Sequence, residues 1–184
     1  MKWKAVAIFL FVFRFSPLAA NYWPVAREVN LPEEVRLNSL DRLFMDRNGL
    51  IWMAAGPKLY WYDGLGFRAV NSGHSKREDD LITSFYQDEN ETCWIGWHSG
   101  AISQLAGDSL MPYDPEEGTP AAPVVGWCED QYGQLWLATN GEGAYVRDTT
   151  GRWYSFGLDD GLPSLDCYGI SAVGTQTFLA TDQG

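Results

Sequence analysis

The stretch DRNGLIW at residues 46–52 recurs as DENETCW at 88–94 and again as DQYGQLW at 130–136. An Asp opens each copy, a Trp closes it, and both recur at an interval of 42 residues. A further interval of 42 ends at Phe178, where the frame continues without its Asp. Repeats of about 40–50 residues are typical of helical arrays or propeller blades, and the hydrophobic pattern separates these two architectures. The repeated structural positions are Asp46, Gly49, Trp52, Asp88, Trp94, Asp130, Gly133, Trp136 and Phe178.

The hydrophobic pattern of the copies favours strands over helices. Short β-rich runs are separated by Gly, Asp, Asn and Pro, without helical periodicity. Four short antiparallel strands per unit is the arrangement of a propeller blade. In the first copy we predict strands at Leu40–Met45, Leu50–Ala54, Lys58–Tyr62 and Phe67–Val70. We predict an all-β fold of propeller blades within 37–184, with repeats at about 37–79, 80–121 and 122–164 and an incomplete one at 165–184.

The two residues that follow each repeated Trp are a large apolar residue and then a small one. Because side chains alternate along a strand, the Trp and the small residue share one face, and the large residue lies on the other. Both faces are therefore apolar, as expected for a blade packed between two others. We predict that the small residue leaves room for a bulky side chain of the adjacent blade. The small residues are Ala54, Gly96, Ala138 and Ala180.

The repeated Asp is predicted to stabilise a hairpin turn by accepting hydrogen bonds from amides that follow it. Gly49 and Gly133 can take the positive φ that a tight hairpin needs. The second copy has Glu91 at this place but keeps Asn90, which also tolerates that conformation, and in the fourth copy Gly174 comes one step early. Calcium binding is the alternative, but the Gly and Glu that a calcium loop needs are missing. We predict no metal site and no cofactor.

Three longer stretches carry a resemblance to a known family. They are LNSLDRLFMDRNGLIWMAAGPKLYWYDGLGF at 37–67, WLATNGEGAY at 136–145 and FGLDDGLPSLDCYGI at 156–170. Together they resemble the two-component regulator propeller repeat. The resemblance implies the extracytoplasmic sensor region of a bacterial receptor, followed by a membrane helix and an output such as a histidine kinase or diguanylate cyclase.

The resemblance also implies what the chain belongs to and what it binds. We expect an N-terminal piece of a longer receptor, with about four blades of seven. Its expected partners are a small molecule or oligosaccharide, the remaining blades and the downstream domains, and the full-length receptor is expected to be a homodimer.

The first twenty residues have the plan of a secretory signal peptide. Lys2 and Lys4 precede a nine-residue apolar run, and small residues precede a cleavage expected after Ala20. Residues 21–36 are predicted to form a lead-in strand, and the product is expected on the periplasmic side of the inner membrane. Removing Lys2, Lys4 and Arg14 takes the net charge from −11 to −14. Such an acidic chain repels phosphate backbones, so we expect no nucleic-acid partner.

Few residues suggest chemistry, and no catalytic residue is predicted. Neither His74 nor His98 has a partner at metal-ligand spacing. The candidates for ligand binding are weak. They are irregularly placed aromatic residues and one histidine: Trp97, His98, Trp127 and Trp153. For the aromatic rings, packing between blades is the alternative. The rival interpretation of function is an exported propeller enzyme, such as a lyase with His98 as base, or an adhesion module.

The three cysteines occupy different places in the repeat. Cys93, Cys128 and Cys167 have no metal-ligand spacing, and a chain rich in aromatic residues can build a core without disulfides. We expect three buried thiols, with a single bridge as the alternative.

Overall fold

A computed structural model describes residues 28–33, 35, 40–71, 80–113 and 118–184. Within these ranges the chain is almost entirely β-structure, apart from helical residues at 33 and 35 and a short 3₁₀ turn at Leu158–Asp160. The predicted signal peptide lies outside the described residues. The strands are β1 Arg42–Met45, β2 Ile51–Ala55, β3 Lys58–Tyr62, β4 Phe67–Ala69, β5 Ile82–Gln87, β6 Cys93–Trp97, β7 Ile102–Ala106, β8 Ser109–Tyr113, β9 Val124–Glu129, β10 Leu135–Thr139, β11 Ala144–Arg147, β12 Trp153–Phe156, β13 Cys167–Val173 and β14 Gln176–Thr181.

The strands form successive antiparallel sheets, each made from one continuous segment of chain. Blade 1 has the order β1-β2-β3-β4, blade 2 β5-β6-β7-β8, and blade 3 β12-β11-β10-β9, while β13 and β14 form a two-stranded unit 4. Each sheet lies within one 42-residue repeat. The propeller-blade prediction is confirmed, and the predicted strands of the first copy agree with β1–β4 to within two residues.

The first strand of each unit lies nearest the common axis. Strand β1 contacts β5, β5 contacts β9, and β9 contacts β13. This is the arrangement of the innermost strands of a propeller, with later strands of each blade farther out. The inner strands are linked by polar contacts as well. Arg42 donates to the carbonyl of Thr83 at 3.2 Å, and the Thr83 hydroxyl donates to the carbonyl of Val124 at 2.7 Å.

The two faces of the second strand pack as the alternation predicts. In blade 1, Trp52 and Ala54 lie in a core cluster shared with Ile82 and Ile95 of blade 2. Met53 lies on the other face. That face is covered by the lead-in segment, where Val35 is fully buried.

The described part of the lead-in segment, residues 28–33 and 35, forms a turn over blade 1. The amide of Val35 donates to the carbonyl of Pro32 at 3.0 Å. Leu31 and Val35 pack against the face of blade 1 that carries Met53.

Gly96 shows why the position after the large residue is small. A Cβ placed there would collide with Ser84 Oγ and would lie 2.6 Å from Cβ of Val124. Val124 belongs to the inner strand of blade 3 and is fully buried. The predicted room for a bulky side chain of the next blade is thus confirmed at this interface.

Unit 4 presents its outer face to solvent. Strands β13 and β14 pair through a two-residue turn in which Gly174 has φ 59°, so the turn shift predicted for this copy is confirmed. Phe178, which occupies the repeated Trp position, is 55% exposed. Tyr168 and Val173 are exposed beside it.

Candidate functional site

The repeated Asp and Trp are joined to each other by a hydrogen bond. Asp46 Oδ1 accepts from the amides of Asn48 and Leu50, each at 2.9 Å. Its other oxygen, Oδ2, accepts from the indole Nε1 of Trp52 at 2.9 Å. One buried carboxylate therefore fixes the turn and anchors the ring that packs against the next blade. The six-residue spacing between Asp and Trp follows from this double role.

The same hydrogen bond recurs in the next two blades. Trp94 Nε1 donates to Asp88 Oδ2 at 2.8 Å, and Trp136 Nε1 donates to Asp130 Oδ2 at 2.9 Å. The predicted turn role of the Asp is present in all three blades, and the bond to the indole is an addition that the sequence analysis missed. A signal for it was available, because the Asp–Trp spacing itself repeats.

Glu91 takes the left-handed conformation directly. Its φ is 64°, against 81° for Gly49 and 73° for Gly133 at the equivalent places. The left-handed residue of this turn is therefore Glu91 and not Asn90, for which tolerance of this conformation was predicted. A side chain in this region is strained, so the second turn is held by the surrounding hydrogen bonds of Asp88.

A second repeated contact links adjacent blades. Gln87 Oε1 accepts from the backbone amide of Arg47 at 2.8 Å, and Glu129 Oε2 accepts from the backbone amide of Glu89 at 2.8 Å. Gln87 and Glu129 are 42 residues apart, as are Arg47 and Glu89. The residue before each Asp of blades 2 and 3 therefore holds the turn of the preceding blade. The sequence analysis did not consider this position.

Burial raises the pKa of a carboxyl group at one of these contacts and of two cysteine thiols nearby in the chain. Burial raises the pKa of the Glu129 carboxyl, while the hydrogen bond from the Glu89 amide opposes that rise. Burial also raises the pKa of the Cys93 and Cys128 thiols to about 11. All three cysteines are free and buried, so the expectation of buried thiols is confirmed.

Three of the four ligand-binding candidates lie in the core between blades. Trp97 is buried and donates to Ser103 Oγ at 2.9 Å. Trp127 is buried and donates to Ser84 Oγ at 2.8 Å, across the interface of blades 2 and 3. Trp153 is buried in the same cluster, and its Nε1 has no hydrogen-bond partner among the residues that the structure describes. Inter-blade packing accounts for the position of all three rings, and their role in ligand binding stays a prediction.

His98 is exposed, in contrast to the three buried tryptophans. It lies in the turn after β6, where its backbone amide donates to the carbonyl of Leu81 at 2.8 Å. His74 lies outside the described residues. Across the described ranges, no group of three or more His, Cys, Asp or Glu side chains is placed to hold a metal ion.

A cleft opens between the inner strands of blades 1 and 2, at the end that carries the Asp turns. Its volume is about 230 Å³. The rings of Phe44 and Phe85 stack with centroids 5.3 Å apart and form much of its apolar wall. Its remaining lining residues are Met45, Asp46, Arg47, Tyr86 and Gln87. Sequence reasoning missed this cleft, because none of these residues except Asp46 stands out in the repeat.

The comparisons with known proteins support the class of protein that the sheets define, a β-propeller. No family model and no curated protein matches the chain. Two solved extracellular domains, from proteins assigned as hybrid two-component systems of B. thetaiotaomicron, match with TM-scores of 0.69 and 0.64 at 23% and 22% identity. They align with 86% and 83% of this chain, which spans 22% and 20% of theirs.

A propeller enzyme is similar in fold to the same degree. Virginiamycin B lyase from Staphylococcus aureus matches with a TM-score of 0.68 at 16% identity, over 85% of this chain and 53% of the lyase. At such identities the likeness concerns the fold. Within the described part of the chain, no helix is long and apolar enough to cross a membrane.

Proposed function

We propose that this chain is the extracytoplasmic ligand-sensing propeller module of a bacterial signal-transduction receptor of the two-component type. The observation that carries the proposal is the match of its blades to extracellular domains of hybrid two-component systems, at TM-scores of 0.64–0.69. The apolar signal-like segment at 1–20 supports export to the periplasmic side. The chemistry of the described residues also favours binding over catalysis, since the repeated carboxylates are occupied by turn amides and indoles.

The outer face of unit 4 supports a longer propeller. Phe178 and Ala180 stand on that face at the places that Trp94 and Gly96 hold toward blade 3. An exposed apolar face next to an unpaired strand edge is stabilised when another sheet covers it. We propose that further blades of the receptor cover this face and that the output domains follow them. The homodimer of the full-length receptor is proposed on the resemblance alone.

The test is an in-frame deletion of the codons for residues 37–184 in the native bacterium, with transcript profiles taken across small molecules and oligosaccharides. A sensor module predicts that one ligand-induced response is lost while growth without that ligand is unchanged. Immunoblotting of a tagged downstream region controls for loss of the whole protein. An unchanged set of responses in a strain that still makes the shortened protein would contradict the proposal.

The second candidate is an exported propeller enzyme, favoured by the similarity to virginiamycin B lyase. A sensor releases its ligand chemically unchanged, whereas a lyase converts it. Mass spectrometry of a bound ligand after long incubation with the chain therefore separates the two. His98, the base considered for a lyase, has only a backbone contact among the described residues, which gives that candidate little support. An adhesion module would bind without any transcriptional response.

A further inference from the structure

The cleft between blades 1 and 2 is bordered by a residue whose equivalent in the next blade is larger. Phe85 stands 42 residues before Trp127, and both belong to the inner strand of their blade. Trp127 is buried in the interface of blades 2 and 3 and is held by Ser84. Phe85 has a smaller ring without a polar anchor, and it is only half-buried. The side chain at this position is therefore less completely buried at the interface of blades 1 and 2 than at the interface of blades 2 and 3.

The walls of the cleft suit a flat apolar group. The ring of Phe85 stacks on Phe44 at 5.3 Å and on Trp52 at 5.5 Å, so its position is fixed by two neighbours. Met45 is 74% exposed at the margin and supplies a thioether, which packs well against aromatic rings. Ligand sites commonly combine such apolar walls with a few polar groups that set orientation. A volume of about 230 Å³ restricts the occupant to a small molecule.

Among the polar groups that line the cleft, hydrogen-bond donors are left for a ligand. Both oxygens of Asp46 already accept hydrogen bonds from the chain, and Gln87 Oε1 accepts from the Arg47 amide. The Arg47 side chain makes no hydrogen bond or ion pair within the described part of the chain. Its positive charge acts on Tyr86, another lining residue, and on the Glu129 carboxyl of blade 3, with which it forms no ion pair in the described part of the chain. A guanidinium that is not ion-paired is suited to bind a carboxylate.

We propose that this cleft binds a small aromatic carboxylate, with its ring against the stacked pair of Phe44 and Phe85 and its carboxylate on Arg47. The proposal rests on the ligand-binding function proposed for the module and names the chemical class of ligand. Phe85 sets the available space, and Arg47 selects the acidic group.

The experiment is isothermal titration of the purified chain with 2-naphthoate and with the neutral 2-naphthylmethanol. Phe85→Trp replaces the ring that stacks on Phe44 at the border of the cleft by the larger ring found at Trp127, so it should weaken naphthoate binding at least tenfold. Arg47→Gln should weaken naphthoate binding at least tenfold. The matched control is Arg68→Gln, which makes the same change of charge on the outer strand β4, where Arg68 lies over Trp61. The wild type should bind 2-naphthylmethanol at least tenfold more weakly than naphthoate.

Each outcome bears on the assignment. Absence of naphthoate binding to the wild type, or undiminished binding to Phe85→Trp or Arg47→Gln, would overturn it. Equal affinity for the alcohol would overturn the carboxylate class. If Phe85→Trp does not fold, Arg47→Gln and the two probes decide alone. A receptor that keeps its transcriptional response to another ligand while the chain ignores naphthoate would contradict this inference and leave the sensing function standing.

Discussion

The interface between blades 1 and 2 and the interface between blades 2 and 3 use the same positions with different side chains. The first has a half-buried Phe85 beside a cleft, and the second has a buried Trp127 at the equivalent position. Both keep the contact between a turn amide and the residue before the next Asp, which is Gln87 at one interface and Glu129 at the other. The repeat therefore keeps the contact to the turn, while the size and burial of the inner-strand ring differ from one interface to the next.

The same comparison extends to a third interface, between blade 3 and unit 4. Trp94, between two complete blades, is 2% exposed. Trp136 faces a two-stranded unit, is only half-buried, and packs on Phe156 of its own blade with centroids 5.2 Å apart. The energetic weight of a repeated residue thus depends on how completely the next unit covers it.

The largest expected effect is the loss of Trp94. Trp94→Ala removes a buried aromatic ring and should lower the free energy of unfolding by about 3–5 kcal/mol. Trp136→Ala should cost clearly less, because its ring is less completely buried than that of Trp94. Urea denaturation monitored by circular dichroism measures both. Equal losses would mean that the exposed side of Trp136 is covered in solution.

The next largest loss of stability is expected when Asp88, whose carboxylate accepts from the indole of Trp94, is replaced. Asp88→Ala leaves the buried indole of Trp94 and the amide of Thr92 without an acceptor, which should cost about 2–3 kcal/mol. The matched control is Asp148→Ala, since Asp148 also accepts from its turn amides but lies in an exposed turn, and its loss should be smaller. A stable Asp88→Ala variant that lost ligand response would instead assign this residue a binding role.

Enlarging Gly96, the small residue that follows Ile95 on β6, should destabilise the interface of blades 2 and 3. Gly96→Ala places a methyl group against Ser84 and Val124, and should cost about 1–3 kcal/mol through overpacking. At Gly126, on the inner strand β9, an added methyl group would lie 3.5 Å from Ile170 of unit 4, which is ordinary contact, so Gly126→Ala serves as the control. Similar melting temperatures for the two variants would show that the inner strands can separate at little cost.

The smallest expected effect concerns Glu129, whose carboxylate accepts from the Glu89 amide in the turn of blade 2. Burial raises the pKa of Glu129 in the folded state above its ordinary value of 4.5, so the carboxylate form is disfavoured by folding. The contribution of Glu129 to stability is therefore fully present below the ordinary pKa and is lost as the pH rises through the raised pKa. Glu129→Gln removes this loss and copies Gln87, so it should stabilise the chain at pH 7 by less than about 1 kcal/mol.

The pH dependence supplies the check on this prediction. The advantage of Glu129→Gln over the wild type should shrink toward pH 4, as the wild-type carboxyl becomes protonated. Gln87→Glu, the reverse exchange at the first interface, should destabilise at pH 7. Thermal melts across pH 4–8 measure both variants. A constant difference at every pH would exclude ionisation of Glu129 as the cause.

Much of the fold could be predicted because its causes are local. The turn sequence of the first copy, the alternation around Trp52, and the Gly that begins the fourth turn all act within one hairpin. The candidate site could not be predicted in the same way. Trp97, Trp127 and Trp153 looked available for a ligand, yet they lie between blades, because exposure depends on the neighbouring unit.

The sequence by itself determined the repeat, the four-stranded blade and the alternation of large and small residues on the second strand. These follow from backbone sterics and from the two-residue period of a strand, which neighbouring residues impose on each other. The tertiary structure decided which aromatic rings are buried, which interface keeps a cleft, and that each repeated Asp holds its own Trp. These depend on distances between side chains that meet only when the hairpins close and the blades stack, so spacing along the chain could suggest them but could not fix them.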